Sequence, residues 1–164
     1  AATGAFLGWQ HSAAIRGAED QVYAALSHTR QYAIANRVPT GLALGVTNAP
    51  GYPSRVYLVA FTNSSEAANP YDLDYDPDHV MQVAEVSYLP LRTTVSVTNA
   101  WQTVDEEEGP FVVRFLADGR SQPGLDSEPV TVFVGITRGG LADTTRAIRL
   151  DPLTGIPHSQ EDAP

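Results

Sequence analysis

Four aspartates at alternating positions make the densest group of metal-type ligands in this sequence. They lie in Tyr71-Asp72-Leu73-Asp74-Tyr75-Asp76-Pro77-Asp78-His79. Closely spaced carboxylates in one loop suit a hard cation, because Ca²⁺ takes about six to eight oxygen ligands. Asp72, Asp74, Asp76 and Asp78 are therefore the candidate calcium ligands. The pattern departs from an EF-hand loop, which needs Gly where Pro77 stands and Glu where Val83 stands. In an extended backbone the four carboxylates share one face and repel unless a cation or solvent intervenes. A solvated acidic loop fits this incomplete pattern better than a calcium site. A second acidic run, Asp105-Glu106-Glu107-Glu108-Gly109, reads as an exposed turn or connection.

Residues for catalysis are scattered. His11, His28, His79 and His158 form no His-Glu-x-x-His pair and flank no Gly-x-Ser-x-Gly turn. Arg138-Gly139-Gly140 is a lone glycine pair that reads as a hairpin turn rather than a phosphate loop. With no cysteine in the chain, a disulfide framework, a thiolate metal site and a thiol nucleophile are all excluded. No catalytic residue and no enzymatic activity are expected.

The charge balance narrows the partners. Nineteen acids against ten basic residues, all of them arginine, give a formal charge of −9. A chain that binds phosphate broadly needs a basic face, so nucleic acid is disfavoured. Arg138, Arg146 and Arg149 are the one local exception: they are candidate phosphate contacts if their strands are neighbours, and a solvated strand face otherwise.

The elements that must position these groups are arranged asymmetrically. Ile15, Ala18, Val22, Ala25, Leu26, Thr29, Ala33 and Ile34 recur at spacings of three and four, which predicts an amphipathic helix over residues 12–37. Its stripe needs a partner surface, and the only one available is sheet. Ile15, Val22, Leu26 and Ala33 are the residues expected to dock it. Val38-Pro39-Thr40-Gly41 supplies the stop. Strands are predicted at Leu42 to Val46, Arg55 to Thr62, Val80 to Leu89, Thr93 to Thr98, Phe111 to Leu116, Val130 to Thr137 and Thr145 to Leu150. The Arg55 strand is apolar on both faces. Connections rich in Gly, Pro, Asn and Asp, with no intervening helix, favour antiparallel pairing. The 164 residues, 43% hydrophobic, make one domain of α+β class: a helix packed on antiparallel sheet over residues 42–150, with a flexible polar tail at 156–164. Trp101 is expected at a buried strand end. Trp9 divides between burial and a partner contact.

Three segments carry a resemblance. Leu26-Ser27-His28-Thr29-Arg30-Gln31-Tyr32-Ala33-Ile34, leading to Leu42-Ala43-Leu44, is similar to a Leu-x-x-x-Arg-x-x-Ala-Ile pattern entering a first strand. Phe111-Val112-Val113-Arg114-Phe115-Leu116-Ala117-Asp118-Gly119-Arg120 is similar to a strand that ends in an Asp-Gly turn. Arg146-Ala147-Ile148-Arg149-Leu150-Asp151-Pro152-Leu153-Thr154-Gly155 is similar to a closing strand with a terminal Thr-Gly. Together, in order and spacing, they resemble the head domain of type IV pilin-like proteins of the GspH/FimT group of minor pseudopilins.

The resemblance implies a pilin-like head and a non-enzymatic role in a type II secretion pseudopilus or a type IV pilus-like filament. The partners it implies are other pilin-like subunits and the inner membrane, reached through an apolar N-terminal helix, with the head periplasmic or extracellular. The family's Gly-Phe-Thr-Leu-Ile-Glu start and anchor helix are not in this sequence. Residues 1–11 accordingly read as the remnant of that helix or as a linker. Two alternatives stand beside this reading: a DNA-uptake pilin of the same family, using Arg138, Arg146 and Arg149, and an unrelated calcium-dependent extracellular β-sheet binding module.

Overall fold

The apolar spacing at the N-terminus produces α1, a 35-residue helix from Ala2 to Asn36. In the computed structural model, which describes residues 2–45, 55–61, 80–82, 87–90, 93–103, 111–124, 128–138 and 141–160, it is the only helix among the described residues. It begins ten residues before the expected start at 12, so the segment read as remnant or linker is continuous with it. The buried positions are Ile15, Ala18, Glu19, Val22, Leu26, Thr29 and Ala33, one stripe at spacings of about one turn. Thr29 satisfies its hydroxyl within the helix by donating to the Ala25 carbonyl at 2.7 Å.

The helix ends through a backbone cap. Val38 N–H donates to the Ala33 carbonyl at 3.2 Å, and Arg37 between them takes a left-handed φ of 55°. This is the geometry of a Schellman cap with Arg in the position usually held by Gly. Pro39 then prevents continuation.

Among the described residues eleven strands follow, in two antiparallel sheets. They are β1 (Thr40–Gly45), β2 (Arg55–Phe61), β3 (Val80–Gln82), β4 (Ser87–Tyr88), β5 (Thr93–Thr98), β6 (Gln102–Thr103), β7 (Phe111–Phe115), β8 (Ser121–Gln122), β9 (Thr131–Arg138), β10 (Leu141–Leu150) and β11 (Pro157–Gln160). The first sheet runs β3-β2-β1-β7-β6, with β4 also pairing β2 and β8 also pairing β7; the second runs β11-β10-β9-β5. The class is α+β: one helix packed against antiparallel sheets.

One apolar core joins the three layers. Leu42 and Leu44 of β1 pair with Val113 and Phe111 of β7, and all four are buried. From the second sheet come Val95, Val132, Val134, Ile148 and Leu150, and Val22, Leu26 and Ala33 of α1 lie in the same cluster. α1 touches strands of both sheets, most extensively β1 and β9. In β1, Gly41 and Ala43 are buried as well as Leu42 and Leu44, so this central strand is covered on both faces. The β2 side chains, expected to be buried on both faces, lie outside the described residues.

Three expectations are corrected. The region predicted as a flexible tail contains β11, which pairs Pro157–Gln160 with Ala147–Leu150. Backbone pairing on the β10 edge orders this stretch without an apolar pattern of its own. The antiparallel region also exceeds 42–150 at both ends. Of the segment predicted as one strand over Val80 to Leu89, β3 and β4 are described and both pair with β2, while residues 83–86 lie outside the described residues. Finally, β10 starts at Leu141 rather than Thr145, because a register shift between Ala142 and Thr144 interrupts its alternation without ending its pairing to β9.

Two variants check this packing by chemical denaturation. Leu26→Ala is expected to lose about 2–5 kcal/mol, since the side chain is fully buried. Arg37→Gly is expected to gain about 0.5–1 kcal/mol by relieving the left-handed residue at the helix end.

Candidate functional site

Specific contacts from two loops converge on the C-terminal end of α1. Arg30 Nε donates to the Thr154 carbonyl at 2.8 Å, tying the helix to the loop between β10 and β11. Ile34, one turn further on, packs against Gly119 in the turn between β7 and β8. A Cβ on Gly119 would lie 2.6 Å from Ile34 Cδ1 and 3.4 Å from Arg30 Nε. Gly155 in turn abuts that turn: a Cβ there would overlap the Gly119 carbonyl oxygen and stand 3.1 Å from Ser121 N. Gly119 and Gly155 have φ of 88° and 70°, so both need the left-handed region as well as the space.

Each loop is shaped by one aspartate. Asp118 accepts from the Arg120 backbone N–H at 3.0 Å and from Arg120 Nε at 2.7 Å. Those two bonds hold its carboxyl below the ordinary value of 3.8, the backbone bond being the larger cause. The turn is closed by Gly119 N–H to Leu116 O at 2.8 Å and Leu116 N–H to Arg120 O at 2.9 Å. Asp151 Oδ1 accepts from the backbone N–H groups of Leu153 at 2.9 Å and Thr154 at 2.8 Å. Its carboxyl is also lowered, first by the Thr154 backbone bond, then by the Thr154 hydroxyl and the Leu153 amide. Gly155 N–H to Asp151 O at 2.8 Å and Asp151 N–H to Ile156 O at 3.0 Å complete the loop. Carboxylates so engaged are weak bases. They position backbone and leave the loop tips outward, with Leu153 79% and Ile156 41% exposed beside Ile34 at 40%.

This junction joins the three segments that carry the family resemblance. Arg30, Asp118-Gly119 and Thr154-Gly155 are far apart in sequence and adjacent in space. The docking residues Ile15, Val22, Leu26 and Ala33 are all buried along the face of α1 that leads to it.

The arginines are distributed differently. Arg146 is paired with Glu19 of α1, Nε to Oε2 at 3.9 Å. Arg138 pairs across from Leu141, while Arg149 pairs across from Thr131. The seven-residue interval from Thr131 to Arg138 therefore separates Arg138 from Arg149 by about 23 Å along the hairpin. Their strands are neighbours, yet the register does not bring the three together. Gly139 and Gly140, read from the sequence as a hairpin turn, lie outside the described residues.

Asp72, Asp74, Asp76, Asp78 and His79 lie outside the described residues, as does the run from Asp105 to Glu108. Among the described residues no group of three or more His, Asp or Glu is spaced to hold a metal ion. His28 and His158 are exposed. Trp101 is half-buried, with the Arg114 guanidinium stacked over its ring at 4.7 Å. Sequence reading did not anticipate Glu19, a carboxylate within the apolar stripe; its place between Ala18 and Val22 in the helical spacing was the available signal.

Comparisons of the chain with protein-family models, with curated proteins and with solved structures find no match.

Two measurements test the junction. Gly155→Ala is expected to cost at least about 2 kcal/mol, from the backbone overlap and the positive φ together. Lowered carboxyl values at Asp118 and Asp151 contribute stability that is complete above the ordinary carboxylate range and fades as pH falls through the folded-state values. Thermal stability is thus expected to drop below about pH 4, and Asp151→Asn is expected to flatten that part of the profile.

Proposed function

We propose that this chain is the head of a non-enzymatic minor subunit of a pilin-like filament, either a type II secretion pseudopilus or a type IV pilus-like fibre. The observation that carries the reading is the junction of Arg30, Asp118-Gly119 and Thr154-Gly155. The segments that resemble the GspH/FimT group are the ones that pack together, and the two glycines there have a steric reason to be glycine. A single helix with its apolar face on both sheets also suits the role. Force or displacement applied to such a helix reaches the head through a packed stripe rather than through a flexible linker.

In this reading the helix continues toward the inner membrane and contacts other pilin-like subunits, while the head lies in the periplasm or outside the cell. Among the described residues no helix is long and apolar enough to cross a membrane. The head's part is assembly and protein transport through surface contacts. Exposed apolar side chains at the junction are Ile34 on the helix and Leu153 and Ile156 on the loop beyond β10.

The upstream coding sequence and membrane fractionation of the full-length protein test the proposal. The expected result is a short basic leader, a Phe-Thr-Leu-Ile-Glu-like start and about twenty apolar residues running into α1, with the protein in the membrane fraction. A secretion signal without an apolar anchor, and a protein that fractionates free of membrane, would overturn it.

A further inference from the structure

Glu19 is the one carboxylate in the buried stripe of α1, and its contacts lead to the last strand of the fold. The residue is 8% exposed. Oε2 lies 3.9 Å from Arg146 Nε on β10, and Oε1 accepts a hydrogen bond from the Ser159 hydroxyl on β11. The register puts Ser159 opposite Ile148 and Pro157 opposite Leu150, so Pro157 and Ser159 share the parity of the core-facing residues Ile148 and Leu150. Beyond that, β11 is thinly held. Of its four residues Pro157 alone is buried; His158, Ser159 and Gln160 are exposed.

We propose that β11 is a clasp that opens and closes on the helix independently of the rest of the fold, with Glu19 as its release point. Withdrawing a carboxylate from water is costly, and that cost offsets most of the gain from its partners. Here the ion pair is at the long end of its range, and Arg146, with a quarter of its side chain exposed, keeps access to water. The closed contact is therefore near balance. When β11 lifts away, Glu19 meets water and recovers its hydration, whereas an apolar residue in its place would resist the exposure. Opening also bares the backbone edge of Ala147–Leu150 on β10. β5–β9, the other ladder at the opposite side of the same sheet, is anchored by the buried residues Val95, Val132 and Val134, and none of its residues with described burial is a buried carboxylate.

Native-state hydrogen exchange on the folded chain tests this, with the β5–β9 amides as internal reference. In the unaltered protein the β10–β11 amides are expected to exchange faster than the reference. Ser159→Ala, which strips Glu19 of a partner, is expected to speed the β10–β11 amides by about ten-fold with the reference unchanged. Replacing both charges together, Glu19→Leu with Arg146→Met, is expected to slow the same amides by about ten-fold, because an apolar contact takes the place of the near-balanced pair and no charge is left without its partner. Equal protection of the two ladders in the unaltered protein would overturn the proposal. So would faster β10–β11 exchange in the Glu19→Leu, Arg146→Met double variant, or a change in Ser159→Ala spread evenly over both ladders.

Discussion

Neither sheet of this protein can bury its inner face without α1. The β1–β7 ladder presents Leu42, Leu44, Val113 and Phe115, and the β9–β10 ladder presents Val132, Val134, Ile148 and Leu150; every one of these is nearly or fully inaccessible to solvent. Val22, Leu26 and Ala33 belong to the same cluster as both sets. The stripe on one helix thus supplies the shared wall of two layers. Fully burying each large aliphatic side chain contributes about 1.5–3 kcal/mol, so no hydrogen bond in the structure competes individually with this contact. The order of the chain follows from it. The chain passes between sheets from β4 to β5, from β5 to β6 and from β8 to β9, and both sheets remain packed on the element made first.

Polar contacts then decide how the helix sits rather than whether it packs. Gln21 Nε2 donates to the Tyr88 carbonyl at 3.0 Å on the first sheet, Glu19 reaches β10 and β11 on the second, and Arg30 bonds the loop beyond β10. These three ties leave α1 at different heights along its length of about 50 Å and restrict sliding and rotation that an apolar stripe alone would tolerate. Strain is concentrated at the far end. Arg37 carries a positive φ there, and two glycines in contact hold loops that no side chain would allow. The proposed filament role places functional demand on this end, since it is where motion of the helix meets the turns that display exposed side chains.

Much of the architecture was legible in the residues. The helix and its buried face follow from spacing, because a period near 3.6 sustained over about five turns has no strand equivalent. The strand at Thr93–Thr98 alternates Val95 and Val97 with Thr94, Ser96 and Thr98 and was read to its exact ends. The start of the helix was missed because the first turns carry no apolar period; continuity of backbone bonding extends it to Ala2. The two-residue strands β6 and β8 have no pattern at all. They exist because the edge of β7 opposite β1 is open to pair with. β11 was read as a frayed end for the same reason.

By itself, then, the amino-acid sequence determined the class of fold, the docking face of α1, the antiparallel pairing and the charge balance that disfavours phosphate partners. These are local or additive properties, carried by periodicity, turn residues and counts. Tertiary structure alone decided which distant groups meet. Register, not composition, separates Arg138 from Arg149 and brings Arg146 to Glu19, since a strand shifted by one residue would turn each side chain to the opposite face. The meeting of Arg30, Gly119 and Gly155 likewise depends on how two loops close against the end of one helix. Each motif is weak in isolation because its meaning lies in contact with the others, and contact between residues more than a hundred positions apart is a property of the packed core.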